Sequence, residues 1–290
     1  MVPKRLLLTA RVSQPTRLDR WLREQFPDAG RQAVQRLISG GKVRLNGRLL
    51  RLSSWEVRTG DRIEIAEPPP AKPRWASAFD DAWIVAEEPD FIAVNKPAGL
   101  LSEATRFGQA TSLLELARQR FGEVLLFHRL DRDTSGLVLL SRPGPVNKYL
   151  DEAFKSRAVE KEYLAVVSAS NRLQPSGVID NHLGPHPQRR DQMAIVRSGG
   201  KRAVTRYAVE AEEQGRQLVR LWPETGRTHQ LRVHLASLHA PILGDRLYGP
   251  QPKPGERLLL HALRIQLPAA AGFPTRTYEA PLPAGFWPGT

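Results

Sequence analysis

Hydrophobic and polar residues alternate with two different periods in the first 66 residues, and this pattern predicts a small folded unit. Apolar positions three or four apart predict two short helices, over residues 18–26 and 33–38, the second of which ends at Gly40-Gly41. Residues 42–49 alternate on both sides of Asn46-Gly47, which is the strongest short-range signal for a β-hairpin. Residues 62–65 predict a further strand.

Beyond residue 76, apolar runs typical of strands outnumber helical patterns, and several lie close enough together to form hairpins. The predicted strands cover residues 84–85, 91–94, 125–127, 137–140, 163–167, 203–210, 217–221 and 258–267. The predicted helices cover residues 113–117, with Thr111 as the N-cap, 145–157 and 228–238. We therefore predict an α+β protein with a central mixed, mostly antiparallel β-sheet flanked by helices and loops.

A proline-rich segment separates the two regions. Residues 68–76 contain four prolines, which cannot donate sheet hydrogen bonds and favour a stiff, extended chain. We therefore predict three parts: a small basic α/β domain over residues 1–67, a linker over residues 68–76 and a larger domain over residues 77–290.

The excess of basic residues is concentrated in the first part. The chain of 290 residues has a net charge of +13, and residues 1–75 alone hold 16 Lys and Arg against 7 Asp and Glu. Arginine predominates, and its planar guanidinium binds phosphate oxygens through two hydrogen bonds. This concentration indicates a nucleic-acid-binding surface, while charge alone leaves solubility or binding to anionic lipid open as alternatives.

The composition excludes several classes of protein. The chain has no cysteine, which excludes disulfides, thiolate metal sites, iron–sulfur clusters and cysteine nucleophiles. No apolar run approaches the roughly 18 residues that a membrane span needs. The apolar stretch near residue 7 is too short for a signal peptide. We expect a soluble, cytoplasmic protein with no membrane partner.

Two polar segments carry the candidate chemistry. The first is HRLDRDTSG, residues 128–136, which lies between two apolar runs, so that a rigid sheet would present it. The second, residues 225–234, contains Arg227, His229 and Arg232. An Asp beside an Arg stays ionised, which suits a nucleophile or an electrostatic stabiliser. An ion pair that only fixes two loops would have the same pattern.

Two other chemistries fit these segments less well. Residues 131–135 nearly match the D-x-D-x-T loop of aspartyl-phosphate phosphatases, but those Mg²⁺-dependent enzymes need further carboxylates, and the later segments here are rich in Arg. His229, His234 and His239 recur every five residues, a spacing that spreads them around a helix and keeps them from converging on a metal. We therefore expect no metal site.

The first region resembles the small RNA-binding domain first described in a ribosomal small-subunit protein, the S-four domain. The similarity lies in RLDRWL from Arg17, RQAVQRLISGGKVRLNG from Arg31 and GDRIEI from Gly60. It implies that the second helix and the hairpin face an RNA backbone. The basic residues in that position are Arg31, Arg36, Lys42, Arg44 and Arg48.

The larger region resembles pseudouridine synthases of the RluA type. HRLDRDTSG is similar to the signature of that family, and three more motifs appear in the family's order: VNKPAGL from Val94, KEYLA from Lys161 and GRTHQLRVHLASLHAPILGDRLYG from Gly226. The resemblance implies the pseudouridine synthase fold and an enzyme that isomerises specific uridines in structured RNA to pseudouridine. It also implies that no cofactor and no metal are needed.

The same resemblance implies roles for individual residues. Asp131 would be the catalytic nucleophile. Tyr163 would stack on the target base and help to remove the proton from carbon five. Arg232 would pair with Asp131, with Arg227 as the second choice, and Arg129 would fill the space that the flipped uridine leaves. The other residues expected to contact RNA or the base are His128, Asn95, Lys96, Thr134 and Lys161, and of these Asn95 and Lys96 would form the wall of the site or touch phosphate.

The motifs do not identify the RNA, because RNA shape and the loops around the site decide the target. Large-subunit ribosomal RNA is the first expectation, since an added basic domain suits a large structured substrate, and transfer RNA is the second. A non-catalytic RNA-binding or ribosome-assembly protein is the alternative from another class. The complete set of Asp131, Tyr163 and Arg232 argues against that alternative. We expect a monomer.

Overall fold

The computed structural model describes residues 6–26, 29, 31–66, 78–104, 111–169, 173–189, 191–253, 255–270, 272–288 and 290. The chain divides into two compact units, Met1–Trp75 and Ala76–Thr290. The linker predicted at residues 68–76 lies outside the described residues, and so does the side chain of Arg31. Each unit is treated by itself below.

The described residues of the N-terminal unit form two helices and a four-stranded antiparallel sheet. Its elements are β1 (Leu6–Thr9), β2 (Thr16–Arg17), α1 (Leu18–Gln25), α2 (Arg31–Ser39), β3 (Val43–Leu45), β4 (Arg48–Leu50), β5 (Glu56–Val57) and β6 (Arg62–Ile65). The sheet has the order β1-β6-β3-β4, while β2 pairs with β5. The two predicted helices, the hairpin and the final strand of this unit are confirmed.

The hairpin of β3 and β4 turns at the predicted dipeptide. Asn46 and Gly47 have φ angles of 49° and 82°, a left-handed backbone that these two residue types tolerate best. Val43 on β3 is fully buried in the core of this unit. Arg44 and Arg48 are exposed, so the hairpin carries its basic side chains to the surface.

The C-terminal unit alternates strands and helices around one large sheet. Its elements are β7 (Ile84–Glu87), β8 (Phe91–Lys96), α3 (Leu113–Phe121), β9 (Leu125–Leu126), β10 (Ser135–Ser141), α4 (Val146–Lys155), β11 (Glu160–Ser168), β12 (Ser176–Pro185), β13 (Met193–Ile195), β14 (Lys201–Glu213), β15 (Arg216–Pro223), α5 (Gln230–Ser237), β16 (Leu260–Leu267) and β17 (Arg276–Glu279).

The strands of this sheet follow the order β13-β12-β14-β15-β11-β16-β10-β8-β7, with β17 paired to β16 and β9 to β10. Within the described residues, β10 and β16 form the single parallel pair. The predicted α+β class with a mixed, mostly antiparallel sheet is therefore confirmed. The parallel pair is close, because a Cβ on Gly136 would lie 2.3 Å from the carbonyl oxygen of Ala262.

Helices cover parts of the sheet through apolar contacts. Helix α4 buries Tyr149 and Leu150 in a cluster with Leu137 and Leu139 of the central strand β10. Helix α5 buries Leu231 and Leu235 in a second cluster that includes strands β11 and β15. This packing fixes the strand that follows residues 128–134 and the helix that contains Arg232.

Several local features differ from the sequence expectation. The side chain that caps α3 is Ser112 rather than Thr111, because Ser112 accepts a hydrogen bond from the backbone N–H of Glu115. The strands that were not expected are β1, β2, β5, β12, β13 and β17. The sequence of β12 lacks a regular alternation, and its Gly177 lies where a Cβ would meet the ring of Tyr207 at 2.7 Å. Strand β17 has only four residues, too few for a clear periodic signal.

Candidate active site

Asp131 lies on the polar loop between β9 and β10. Its side chain is 27% exposed, so a ligand can reach the carboxylate. The loop turns at this point, because the backbone N–H of Thr134 donates to the carbonyl oxygen of Asp131 at 3.2 Å. Buried strand β10 follows directly, and the loop therefore starts from a rigid base.

Arg232 lies next to Asp131. It projects from helix α5, its side chain is only 4% exposed, and its Nη1 lies 3.4 Å from Oδ2 of Asp131. The contact places a positive charge directly beside the carboxylate. The residue that the resemblance placed against Asp131 is thus in contact with it.

Arg227, the second choice for this pairing, points elsewhere. Its Nε donates to the carbonyl oxygen of Arg202 at 3.0 Å, and its backbone N–H donates to Gln230. The structure records no contact between Arg227 and Asp131. Between the two arginines, the geometry selects Arg232.

Asp245 is a second carboxylate partner of Arg232 and lies on its buried side. It accepts hydrogen bonds from Nε and Nη2 of Arg232 at 2.8 and 2.7 Å, and its own side chain is fully buried. Its Oδ1 also accepts the backbone N–H groups of Leu247 and Tyr248. Through these hydrogen bonds, Asp245 holds the guanidinium of Arg232 in place.

The charge of Arg232 follows from the balance of burial and these partners. Burial would lower the pKa of Arg232, but the hydrogen bonds and the charge of Asp245, with a smaller contribution from Asp131, raise it above its usual value. The guanidinium therefore stays charged although it is excluded from water.

Asp245 was not among the site residues predicted from the sequence. It lies 13 residues after Arg232, in a segment without helical or strand periodicity. The available signal was indirect: a buried arginine needs a carboxylate partner, and Asp245 is the acidic residue that follows Arg232 most closely in the sequence.

Tyr163 lies on β11, between Leu221 of β15 and Ala262 of β16. Its ring is partly buried against the core that lies under α5. Burial, and then the negative charge of Asp131, raise the pKa of Tyr163. The phenol is therefore protonated at neutral pH.

Two residues predicted to contact RNA, Lys96 and Thr134, are buried. Lys96 is fully buried, and its Nζ donates to three backbone carbonyl groups, those of Pro97, Leu100 and Arg132, at 2.8 to 3.1 Å. Burial lowers its pKa to about 7, although Asp133 and Asp131 act in the opposite direction. Thr134 is 2% exposed. Lys96 instead ties the loop of Asp131 to the end of β8.

His128 also supports the loop from inside the unit. Its Nε2 accepts the backbone N–H of Leu139 at 2.9 Å, and its ring stacks on Phe154. Burial, and then the charge of Lys161, lower the pKa of His128 to about 3, so the ring is neutral. These contacts make it a structural residue and argue against the predicted RNA contact.

The remaining candidates of this unit stay predictions. Arg129 is exposed, and the structure shows no hydrogen bond or ion pair between it and another described residue. Asn95 is partly exposed and donates to the carbonyl oxygen of Pro281 at 3.3 Å. Lys161 is partly buried, and burial followed by the charge of Arg157 lowers its pKa.

In the N-terminal unit, the basic residues singled out by the sequence are exposed wherever their side chains are described. These are Arg36, Lys42, Arg44 and Arg48. Arg48 lies over the ring of Trp55, 4.8 Å from its centroid, a cation–π contact that holds the guanidinium at the surface. They form a basic surface on α2 and the hairpin.

The described residues form neither a cluster suited to a metal ion nor a helix suited to a membrane. No group of three or more His, Cys, Asp or Glu side chains in that part of the chain could hold a metal ion. No helix there is both long and apolar enough to cross a membrane.

Comparison with known proteins gives consistent similarities. A family model described as RNA pseudouridylate synthase matches residues 90–237, and one described as S4 domain matches residues 16–63. Ribosomal large subunit pseudouridine synthase D of Haemophilus ducreyi is 31% identical over 306 residues, which cover 98% of this chain and 93% of that protein. The protein of the same name from Yersinia pestis is 33% identical over 244 residues, covering 82% and 74%.

A solved structure shows the same similarity. Human RNA pseudouridylate synthase domain containing 1 superposes with a TM-score of 0.59 and 29% identity, over 71% of this chain and 84% of that one.

Proposed function

The chain belongs to the RNA pseudouridylate synthase family, and from that membership we propose that Asp131 is the carboxylate that acts on the target uridine. The observation that carries this proposal is the 3.4 Å contact between the partly exposed Asp131 and the buried Arg232. The protein is an RNA pseudouridine synthase, an isomerase, so its site must present a reactive group to a uridine.

The reaction breaks the bond between ribose C1′ and uracil N1 and forms a bond between C1′ and carbon five of the same base. The proton on carbon five leaves and N1 gains one, so atoms and electrons balance within the nucleotide and nothing is oxidised. The proposed carboxylate attacks the sugar or the base as a nucleophile, or stabilises a glycal intermediate. Each route requires Asp131 to be ionised.

Arg232 meets that requirement in the proposed mechanism. Its fixed positive charge stabilises the carboxylate without donating a proton, because an arginine does not deprotonate in proteins. Through Nη1 it contacts Oδ2 alone. The other oxygen of Asp131 has no partner among the described residues, and in the proposal it faces the substrate.

The uridine must leave its stack before it can reach Asp131, which costs a few kcal/mol. Stacking on an aromatic ring returns about 1–3 kcal/mol, and Tyr163 is the proposed platform. Arg129 is the proposed occupant of the vacated space, because it is exposed and has no hydrogen bond or ion pair with another described residue.

We propose large-subunit ribosomal RNA as the substrate and transfer RNA as the second candidate. A relative whose match covers 98% of this chain is named ribosomal large subunit pseudouridine synthase D. In the proposal, residues 1–67 form an RNA-binding domain that uses its basic surface, the linker 68–76 joins it to the catalytic domain 77–290, and the enzyme acts as a monomer in the cytoplasm.

The test compares the purified protein with its Asp131→Asn variant on large-subunit ribosomal RNA and on transfer RNA. Conversion is read by chemical mapping of pseudouridine, and affinity by filter binding. We expect site-specific conversion of the ribosomal RNA, its loss in Asp131→Asn, and binding within about threefold. Conversion by Asp131→Asn at the wild-type rate would overturn the proposed nucleophile. Conversion of transfer RNA alone would overturn the proposed substrate.

A further inference from the structure

A hydrogen-bonded pair, His229 and Tyr248, borders Asp131 beside Arg232. Nδ1 of His229 lies 2.7 Å from the hydroxyl oxygen of Tyr248, and Nε2 of the same ring lies 3.9 Å from Oδ2 of Asp131. His229 immediately precedes α5 and has φ 56° and ψ 16°. A non-glycine residue adopts this left-handed backbone at a cost, so the surrounding structure must hold His229 there.

The hydrogen bonds assign the tautomer of His229. The backbone N–H of Met193 donates to the hydroxyl oxygen of Tyr248 at 2.8 Å, which leaves the hydroxyl its own proton to donate. Among the described residues, Nδ1 of His229 is the recorded acceptor for that proton. Burial raises the pKa of Tyr248 to about 12, so the proton is present. Nδ1 therefore accepts, and Nε2 carries the hydrogen of the neutral ring.

The charge of Asp131 favours the same tautomer. With its hydrogen on Nε2, His229 directs an N–H toward Oδ2 of the carboxylate. The opposite tautomer would direct a lone pair at that oxygen. Burial lowers the pKa of His229, although Asp131 acts in the opposite direction, so a neutral N–H donor faces the carboxylate.

We propose that His229 is a positioning residue, whose Nε2–H, oriented by Tyr248, acts together with Arg232 on Oδ2 of Asp131 and leaves Oδ1 as the reacting oxygen. The inference rests on the proposed catalytic role of Asp131. The 3.9 Å separation exceeds hydrogen-bond length. A shift of about 1 Å on substrate binding closes it, as catalytic hydrogen bonds commonly tighten in the Michaelis complex.

Two substitutions separate this role from a purely structural one. Asn at residue 229 tolerates the left-handed backbone and keeps an acceptor near Nδ1 for Tyr248, but it places no donor at the position of Nε2. Gln at residue 229 reaches that position with its amide N–H. We expect His229→Asn to lower kcat about 10-fold with KM and melting temperature unchanged, and His229→Gln to recover part of the loss. Wild-type kcat in His229→Asn would overturn the inference.

The tautomer is tested without any activity measurement. In protein labelled with ¹⁵N-histidine, long-range ¹H–¹⁵N correlation spectra distinguish Nδ1–H from Nε2–H, and the His229→Gln variant identifies the signal of residue 229. We expect Nε2–H in the wild type and a mixture of tautomers in Tyr248→Phe, which keeps the ring under Arg232 but lacks the hydroxyl. An Nδ1–H tautomer in the wild type would overturn the inference.

The Asp131→Asn variant, assayed in parallel, distinguishes the two possible failures. If Asp131→Asn is inactive and His229→Asn has wild-type kcat, only the inference on His229 is overturned. If Asp131→Asn is active, the proposed nucleophile itself is overturned.

Discussion

Asp245 binds Arg232 through both of its carboxylate oxygens, at 2.7 and 2.8 Å, and both of these side chains are buried. A guanidinium usually offers this two-nitrogen edge to the carboxylate that it recognises. Because Asp245 occupies the edge, Asp131 is left with Nη1 alone, at 3.4 Å. Asp131 therefore lies beside a positive charge but does not form a bidentate ion pair with it.

Replacing Asp245 with Asn tests this arrangement. The amide cannot accept both N–H bonds, so the edge of Arg232 becomes free to bind Asp131 more tightly, and a buried charge loses its partner. We expect kcat to fall at least 10-fold with KM within threefold, and the free energy of unfolding to fall by about 3 kcal/mol. Steady-state kinetics and chemical denaturation measure the two effects.

Asp180 provides the matched control for Asp245→Asn. It pairs with Arg202 at 2.6 Å, but the two side chains are 43% and 65% exposed. We expect Asp180→Asn to change the unfolding free energy by less than about 1 kcal/mol and to leave kcat unchanged. Equal effects of the two substitutions would contradict the role given to Asp245.

The Arg129→Ala variant tests whether Arg129 occupies the space that the flipped uridine leaves in the RNA. A uridine in a paired, stacked region needs that support, whereas a uridine in an unstructured strand does not. We expect kcat/KM to fall about 10-fold or more on a structured RNA and less than threefold on an unstructured one. Lys148→Ala, on the exposed face of α4, is the control. An equal loss on both RNAs would exclude the role.

Gly136 tests the close contact between β10 and β16. Its φ is 113°, and a Cβ there would lie within 2.5 Å of two backbone atoms of Ala262. Backbone atoms in a sheet cannot move aside, so we expect Gly136→Ala to reduce the free energy of unfolding by about 3 kcal/mol or more. Gly144→Ala meets no atom within 4 Å, and the same denaturation experiment should show it near wild type.

The buried histidines predict a dependence of stability on pH. Burial is the main cause that lowers the pKa of His234 and of His261 to about 4 from a usual 6.5. Between these values the unfolded chain binds protons that the folded protein does not. The free energy of unfolding should therefore fall as the pH drops from about 6.5 to about 4, by up to about 1.4 kcal/mol per pH unit for each histidine.

Denaturation curves at a series of pH values measure this slope. In His234→Gln the change of the unfolding free energy with pH should decrease by the contribution of one histidine. His182→Gln, at an exposed position, is the control. An unchanged slope in His234→Gln would show that this ring does not titrate as its burial requires.

Local patterns predicted those features that local interactions determine. The helices of the N-terminal unit follow from apolar spacing, and the hairpin follows from Asn46-Gly47 because their backbone angles suit a tight turn. The contact between Asp131 and Arg232, which are 101 residues apart, was available only from the resemblance to a family. No periodicity in the sequence brings these two residues together.

The sequence did not predict which of the charged side chains are buried. Lys96 lies in a motif that suggests a surface cation, yet three carbonyl groups enclose its ammonium group. Asp245 lies in irregular chain, and its partner is known only once α5 is in place. Whether a charged side chain faces water or the interior depends on the complete packing around it.

The parallel pair of β10 and β16 has a consequence for synthesis of the protein. Ser135, at the start of β10, pairs with His261, which the ribosome adds 126 residues later. The described strands of the N-terminal unit end at Ile65, so this unit can fold while translation continues, as domains generally do in order of synthesis. A nascent chain therefore acquires its basic surface long before it acquires a working catalytic centre.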